Sequence, residues 1–375
     1  MNKLAFAVAS ALTVLSTQSI AAPYVADARS HAMGNTGVVS ADYLTAPLHN
    51  PALGALYREN DDVGLLLPAF GINANDKDEA LTTVEDAQDL YDRIKGMPTP
   101  ADEAEMSRLL DKLDDSAPVA INGGLGLAIA IPTRHVSINL FSTGYVEVIA
   151  APDIADSGTV EQRYLNSNVE LVAFGTAEYG VSFARNFELG GQNIAFGISP
   201  KYQQLMTYSQ RTSLDDFDVE DYDKSEVSKS AFNMDLGMAW HKNAFRAGIT
   251  IKDLFKQDID TELGGYTYEL TPQATVGLGY ASDYVSFSID ADLTKQKRFK
   301  ELADDTQFVR VGIEGNAWGW AQLRAGYEMD LEDTLENSIT AGIGISPFDV
   351  VSLDIAGSYA GENQLGAAAN LAFTF

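Results

Sequence analysis

From Phe232 to Phe375 the sequence repeats one pattern, short runs in which every second residue is apolar, divided by turn residues. In FNMDLGMAW, Phe232, Met234, Leu236, Met238 and Trp240 share one parity, and Asn233, Asp235, Gly237 and Ala239 the other. A period of two belongs to the β-strand, whose successive side chains leave opposite faces of a sheet. After the turn HKN, Phe245, Ala247, Ile249 and Ile251 alternate with Arg246, Gly248, Thr250 and Lys252, which completes a hairpin. The alternation recurs over 273–290, 309–329, 339–345 and 351–359. It ends in GAAANLAFTF, where Ala367, Ala369, Leu371, Phe373 and Phe375 oppose Ala368, Asn370, Ala372 and Thr374. Further strands are predicted at 193–209, 170–185, 134–149, 118–131 and 62–72, about fourteen in all.

The connections sort by length. Those near 132–133, 187–192, 241–243, 282–284, 317–320 and 347–349 are short, and those near 73–117, 150–168, 210–229, 253–270 and 293–306 are long. Short and long alternate, as they do when an even-stranded barrel crosses an outer membrane with tight periplasmic turns and long external loops. A soluble sandwich would bury its apolar face against a second sheet. Here the opposite face carries Asp235, Arg246, Asp290, Arg310, Glu314 and Arg324, which suits a polar lumen. The expected fold is therefore all-β: an antiparallel transmembrane β-barrel of about fourteen strands over 62–375, closed so that no strand edge is left unpaired.

Residues 1–21 read as a signal peptide, with Lys3, an apolar run from Leu4 to Leu15, and small residues at Ser19 and Ala21. Export and a place in the bacterial outer membrane follow as expectations, with outer-membrane lipids and lipopolysaccharide as surroundings. No later stretch is long and apolar enough for a membrane-spanning helix. The net charge of −28 excludes nucleic acid as a partner bound through a basic patch. With no cysteine, disulfides, thiolate metal sites and cysteine nucleophiles are excluded as well.

Residues 22–61 are too many for a simple leader and form a separate N-terminal segment. They hold Gly34 and Gly37, which suit positive φ or close backbone approach, and Pro51, which suits the start of a short helix after an Asn50 cap. The run AMGNTGVVSADYLTAPLHNPALGAL resembles the N-terminal segment of the FadL-type long-chain fatty-acid transporters. In that superfamily a glycine-containing stretch leads to Asn-Pro-Ala, here Asn50, Pro51 and Ala52. Within it the sequence looks most similar to the outer-membrane family named conjugal transfer protein TraF, and not to the thioredoxin-like protein of the same name. The resemblance implies a luminal plug or hatch built from this segment. The alternating apolar residues before a C-terminal phenylalanine, Leu371, Phe373 and Phe375, also resemble the terminal signal read by the barrel assembly machinery, a further expected partner.

The first long loop, 73–117, breaks the strand rhythm. Leu81, Val84, Leu90, Tyr91 and Ile94 recur at helical spacing, as do Met106, Leu109, Leu110 and Leu113. Two amphipathic helices are predicted, either capping the barrel mouth or offering Leu81, Val84, Leu90 and Ile94 to a hydrophobic ligand. Chemical sites are not found. The acidic run Asp215–Lys224 lacks the glycine of an EF-hand loop and reads as a solvated loop or a nonspecific divalent bridge. The four histidines lack metal spacing and form no nucleophile–base set, so no catalytic, cofactor or metal site is assigned. The resemblance implies passive uptake of a hydrophobic small molecule such as a long-chain fatty acid, with Arg246, Arg310 and Arg324 available to a carboxylate or else held in salt bridges. The alternative is a non-transport scaffold or partner in a conjugal transfer or secretion apparatus.

Overall fold

The structure is a computed structural model that describes residues 26–58, 61–94, 98–217, 225–262, 265–302, 305–347 and 350–375. Residues 1–21, the expected signal peptide, and most of the acidic run after Asp215 lie outside these residues. Fourteen strands form one closed antiparallel barrel. The first seven are β1 (Gly64–Asn75), β2 (Val119–Ile131), β3 (Ser137–Asp153), β4 (Asn168–Leu189), β5 (Gln192–Ser213), β6 (Val227–Lys242) and β7 (Phe245–Lys252). A small hairpin of β8 (Gln257–Asp260) and β9 (Thr267–Leu270) stands outside the wall. The wall resumes with β10 (Gln273–Ala281), β11 (Val285–Asp292), β12 (Phe308–Ala317), β13 (Ala321–Asp330), β14 (Ser338–Ile345), β15 (Val351–Gly361) and β16 (Gln364–Thr374). All fourteen wall strands fall where the alternation predicts them.

Closure is made by β16 against β1, in register from Gly64 opposite Thr374 to Asn75 opposite Gln364. The register shifts on both sides of β1 around Pro68, whose missing N–H cannot serve a ladder. Beyond the last strand, Phe375 accepts from the Asp62 N–H at 2.7 Å and donates to the Val63 carbonyl at 3.0 Å, which seals the seam. The alternation sorts the two faces. Leu278 and Leu323 are 65% and 68% exposed on the outside, in an apolar belt with Ile313, Ile339 and Ile355, while Asp290, Glu328 and Asp354 are buried inside.

One rim carries the tight turns, such as Gly190–Gly191 at φ 60° and 74°, and the other the long loops. The first long loop folds into α2 (Ala80–Ile94) and α3 (Pro100–Asp114), following a short helix α1 (Ala28–Ala32) in the N-terminal segment. A capping box between Thr99 and Asp102 starts α3. The two helices bury Val84, Leu90, Met106 and Leu110 together with Val119, Tyr164 and Leu214 from neighbouring segments. Each such side chain contributes about 1.5–3 kcal/mol by leaving water. The next long connection, within the expected 150–168, holds a further short helix, α4 (Val160–Asn166). The last two connections on this rim, 331–337 and 362–363, are short, so the loops crowd one side of the mouth.

Candidate functional site

The described part of the N-terminal segment lies inside the barrel. Asp27 caps α1 through the Arg29 N–H, and the chain then turns at Gly34, with φ 65°. A 3₁₀ turn, Ala46–Leu48, leads to a second, Pro51–Ala55, which Asn50 caps by accepting from the Ala52 N–H. The Asn50 amide also donates to the carbonyls of Val38, at 2.8 Å, and of Met238 on β6, at 3.3 Å. The Asn-Pro-Ala motif thus ties two parts of the segment to each other and to the wall.

The wall is shaped to receive this backbone. Gly197 and Gly237 face each other across β5 and β6, and Gly312 and Gly326 across β12 and β13. A β-carbon at Gly237 would lie 2.0 Å from Asn50 Oδ1, and one at Gly326 would lie 2.1 Å from the Gly34 nitrogen. Only glycine lets the two backbones approach so closely. Hydrogen bonds fix the rest. The Thr340 hydroxyl accepts from Gly34 N–H at 2.8 Å and donates to the Ala32 carbonyl at 3.0 Å. Asp290 Oδ2 accepts from the N–H groups of Gly37 and Val38 at 2.7 and 2.9 Å. Lys252, Arg246 and Asn139 donate to the carbonyls of Leu48, Val39 and Tyr43.

Charges extend the fastening. Arg29 donates two hydrogen bonds to Glu314, at 2.9 and 3.0 Å. Glu314 also pairs with Arg324 at 2.7 Å, and Arg324 pairs with Asp354 at 2.5 Å. Burial favours the neutral guanidine of Arg29, but the charge and hydrogen bonds of Glu314 outweigh it and hold the group protonated. Burial also raises Asp27, yet the His49 hydrogen bond at 2.9 Å and the His49 and Arg29 charges leave its carboxyl below the usual range. His31, fully buried in α1, is pushed by that burial down to about 4, against the opposing pull of Asn35 and Asp27.

Above the plug lies a cavity of about 220 Å³, floored by plug residues including Val38, Leu48 and His49. Phe141, Tyr145, Phe174 and Tyr268 form one wall. β9 and residues 296–299 lie over the mouth. Tyr268 stacks on Phe174 with centroids 3.6 Å apart, and Phe299 meets Tyr268 edge-on at 5.2 Å. Arg298 reaches down from that loop to pair with buried Glu147, which also accepts from the Tyr145 hydroxyl at 2.5 Å. On another wall Lys201, only 3% exposed, is held by Glu178, Asp235 and Asp253 at 3.2, 3.0 and 2.9 Å.

The residues singled out in the sequence are therefore split among three places. Gly34, Gly37, Asn50, Pro51 and Ala52 meet in the plug and its seat. Val84 and Leu90 are buried in the core of the helical cap, with Leu81 and Ile94 packed against it, away from the cavity. Arg310 lines the cavity but already pairs with Asp292 and Glu328, at 2.9 and 2.8 Å. Arg246 and Arg324 bind the plug or its supporting carboxylates. Leu371, Phe373 and Phe375 occupy the closing strand and its end. The Lys201 cage, the Glu147–Arg298 pair and the paired wall glycines were missed. The glycines leave a signal, recurring on the polar parity of several strands; the two charge clusters join residues too distant in sequence to be matched by spacing.

The family model described as "F plasmid transfer operon, TraF, protein" matches residues 47–292 of this sequence. The chain belongs to this family. No curated protein matches it. Among solved structures, the TraF-family chain resembles the TodX deltaS2S3 mutant, titled a monoaromatic hydrocarbon channel, with TM-score 0.55 and 12% identity over 92% of this chain and 98% of that one. A Pseudomonas aeruginosa FadL homologue matches with TM-score 0.53 and 11% identity, over 96% and 97% of the two chains. The CymD monoaromatic hydrocarbon channel gives 0.52 at 12% identity, over 93% and 97%. At these identities the likeness is one of fold: the TraF-family chain has the fold of the FadL-type barrels.

Proposed function

We propose that this barrel sits in the bacterial outer membrane, inserted after removal of residues 1–21, and lets a small hydrophobic molecule pass down its gradient. The observation that carries the reading is the lumen cavity between the mouth hairpin and the plug, with aromatic side chains in its lining. The fold shared with channels titled for monoaromatic hydrocarbons supports it. At about 220 Å³ the cavity is closer to the ~150 Å³ void that takes up benzene than to the roughly 300–1,000 Å³ pockets of larger ligands. One ring fits it better than a long acyl chain. In this reading the plug, residues 26–58, closes the exit, and its displacement opens the path.

The reading is tested in cells that lack their own hydrophobic-uptake barrels and express this one, by following labelled one-ring hydrocarbon and labelled long-chain fatty acid. Accumulation of the one-ring compound above the empty-vector control is expected, with a smaller effect for the fatty acid. No gain for either, with the barrel at the surface, rejects passage. The second reading, a scaffold in a transfer apparatus, draws support from the family match and from the density of bonds holding the plug. It predicts loss of DNA transfer, not of uptake, when the gene is removed from a conjugating strain.

A further inference from the structure

We infer that the outer wall over β3–β6, near the tight-turn rim, binds an anionic phospholipid, with its phosphate on Arg185 and an acyl chain in the groove beside it. The inference goes beyond passage and rests only on the barrel's place in a membrane.

The first observation is where the wall keeps its charges. In all fourteen wall strands the Asp, Glu, Lys and Arg residues have the inward parity, except Arg185 on β4 and Lys242 on β6. Arg185 stands opposite Phe196, and Phe196 opposite Met238, all three exposed on the outside; Lys242 stands opposite exposed Phe245. Both cations lie towards the rim of tight turns, the periplasmic one in an outer-membrane barrel. A cation on the lipid face is costly at the middle of a bilayer and nearly free at its edge, so the pair marks the level of the head groups. Neither has a carboxylate partner among the described residues, whereas Arg29, Lys201, Arg310 and Arg324 inside the barrel all do. Arg185 instead lies over the Phe187 ring, its guanidinium carbon 4.9 Å from the centroid.

The second observation is a groove. Phe183, Phe187, Phe196, Ile198 and Leu236, with Arg185 among them, line an open hollow of about 440 Å³. Gly197 and Gly237 form its floor, and Pro51 and Asn50 of the plug fill their inner side, so the hollow opens outwards. Phe187 meets Phe196 edge-on with centroids 6.0 Å apart. Phe187 lies on the rim side of Arg185 and Phe183 on the bilayer side, so a chain lying in the groove runs inwards from a head group at Arg185. Val136 also borders the groove, and two residues before it the β2–β3 turn carries Arg134, exposed and without a carboxylate partner among the described residues.

Three cations free of carboxylates beside an apolar groove, on a chain of net charge −28, complement one class of molecule. A phosphate gives a guanidinium two parallel N–H···O bonds. A zwitterionic head group brings its own ammonium, which offsets the phosphate and gains less from the cluster.

The test reads Trp240, which shares the outward parity of Leu236 and Lys242 on β6. The full, folded barrel carrying Trp318→Phe and Trp320→Phe is placed in vesicles of phosphatidylcholine mixed with phosphatidylglycerol, one or the other brominated on its acyl chains. The ratio of quenching gives the relative binding of the two lipids beside Trp240. Phosphatidylglycerol is expected to be favoured about fivefold there, as for one cation at an anionic surface, and not at all in a Trp240→Phe chain read from Trp318 and Trp320. Arg185→Gln should remove most of the preference; Lys242→Gln should lower it and stands in if the first variant does not fold. Glycerol phosphate in excess, the head group without chains, should leave it unchanged. Equal quenching by the two lipids at Trp240, a preference untouched in the folded variants, or one abolished by glycerol phosphate overturns the inference and leaves hydrophobic passage standing. A second copy seated on this face would shield Trp240 from both lipids, which also overturns it. Quenching at none of the three tryptophans rejects the membrane placement as well.

Discussion

His31 is the residue whose titration the fold constrains most visibly. Docked, it is buried in α1 and titrates at about 4; released with the plug, it returns towards the ordinary value of 6.5. The released state therefore takes up a proton between those values that the docked state refuses, and docking weakens as pH falls through that window. The loss approaches roughly 3 kcal/mol at the acid end. Asp27 does not add to it, because its lowered carboxyl keeps its contribution until pH falls below the ordinary 3.8. Hydrogen exchange over residues 28–55, corrected for intrinsic rates, should accelerate from pH 7 to pH 4.5, and His31→Gln should flatten the dependence. Equal protection at the two values in the parent chain would remove His31 from the account. At this scale the sequence was legible where a residue has a backbone role: Gly34 at positive φ, and Asn50 as a cap before Pro51. It put Glu314 on the lumen face beside the wall arginines, but not its bond to Arg29, which arrives from a segment far away in the chain.

Elements were read well where their period is long enough to register. Each wall strand shows several alternations, and α2 and α3 each bring their apolar residues round at helical spacing. Three elements were too short for periodicity. β8 and β9 are QDID and TYEL, four residues each with one or two apolar positions, and their pairing is set by packing Tyr268 and Ile259 onto the barrel mouth. α4 has seven residues, but its start carries a capping box of Thr159 and Gln162 that sequence alone can signal. The helical cap shares its core with the rim and the neighbouring loops but supplies no wall strand, so it is separable from closure of the wall. Replacing 77–117 with a short turn should leave a barrel that still shows heat-modifiable migration, at the cost of uncovering Val119, Ala150, Ile154, Tyr164, Val169 and Leu214, which the cap buries. Loss of the folded band would mean that the cap is required for the wall to close.

At the scale of the molecule, two chemistries are kept apart by the parity of the strands. Outward positions present an apolar belt, while inward positions carry the carboxylates, bases and glycines that seat the plug. The barrel was legible because every strand repeats that division. How full the lumen is was not, because it depends on wall glycines meeting a segment over a hundred residues away. The central claim is that residues 26–58 lie in the lumen and gate the cavity. The chain has no cysteine, so a tether can be introduced without interference. A β-carbon on Gly54 would lie 3.4 Å from that of Ala184 on β4, near the spacing a disulfide needs. The decisive measurement is uptake of a labelled one-ring compound by cells carrying Gly54→Cys with Ala184→Cys, before and after reduction. The account predicts that the disulfide forms in the folded barrel, that uptake is at background while it is intact, and that reduction restores it. A disulfide that forms without blocking uptake, or fails to form in a folded barrel, would contradict the claim.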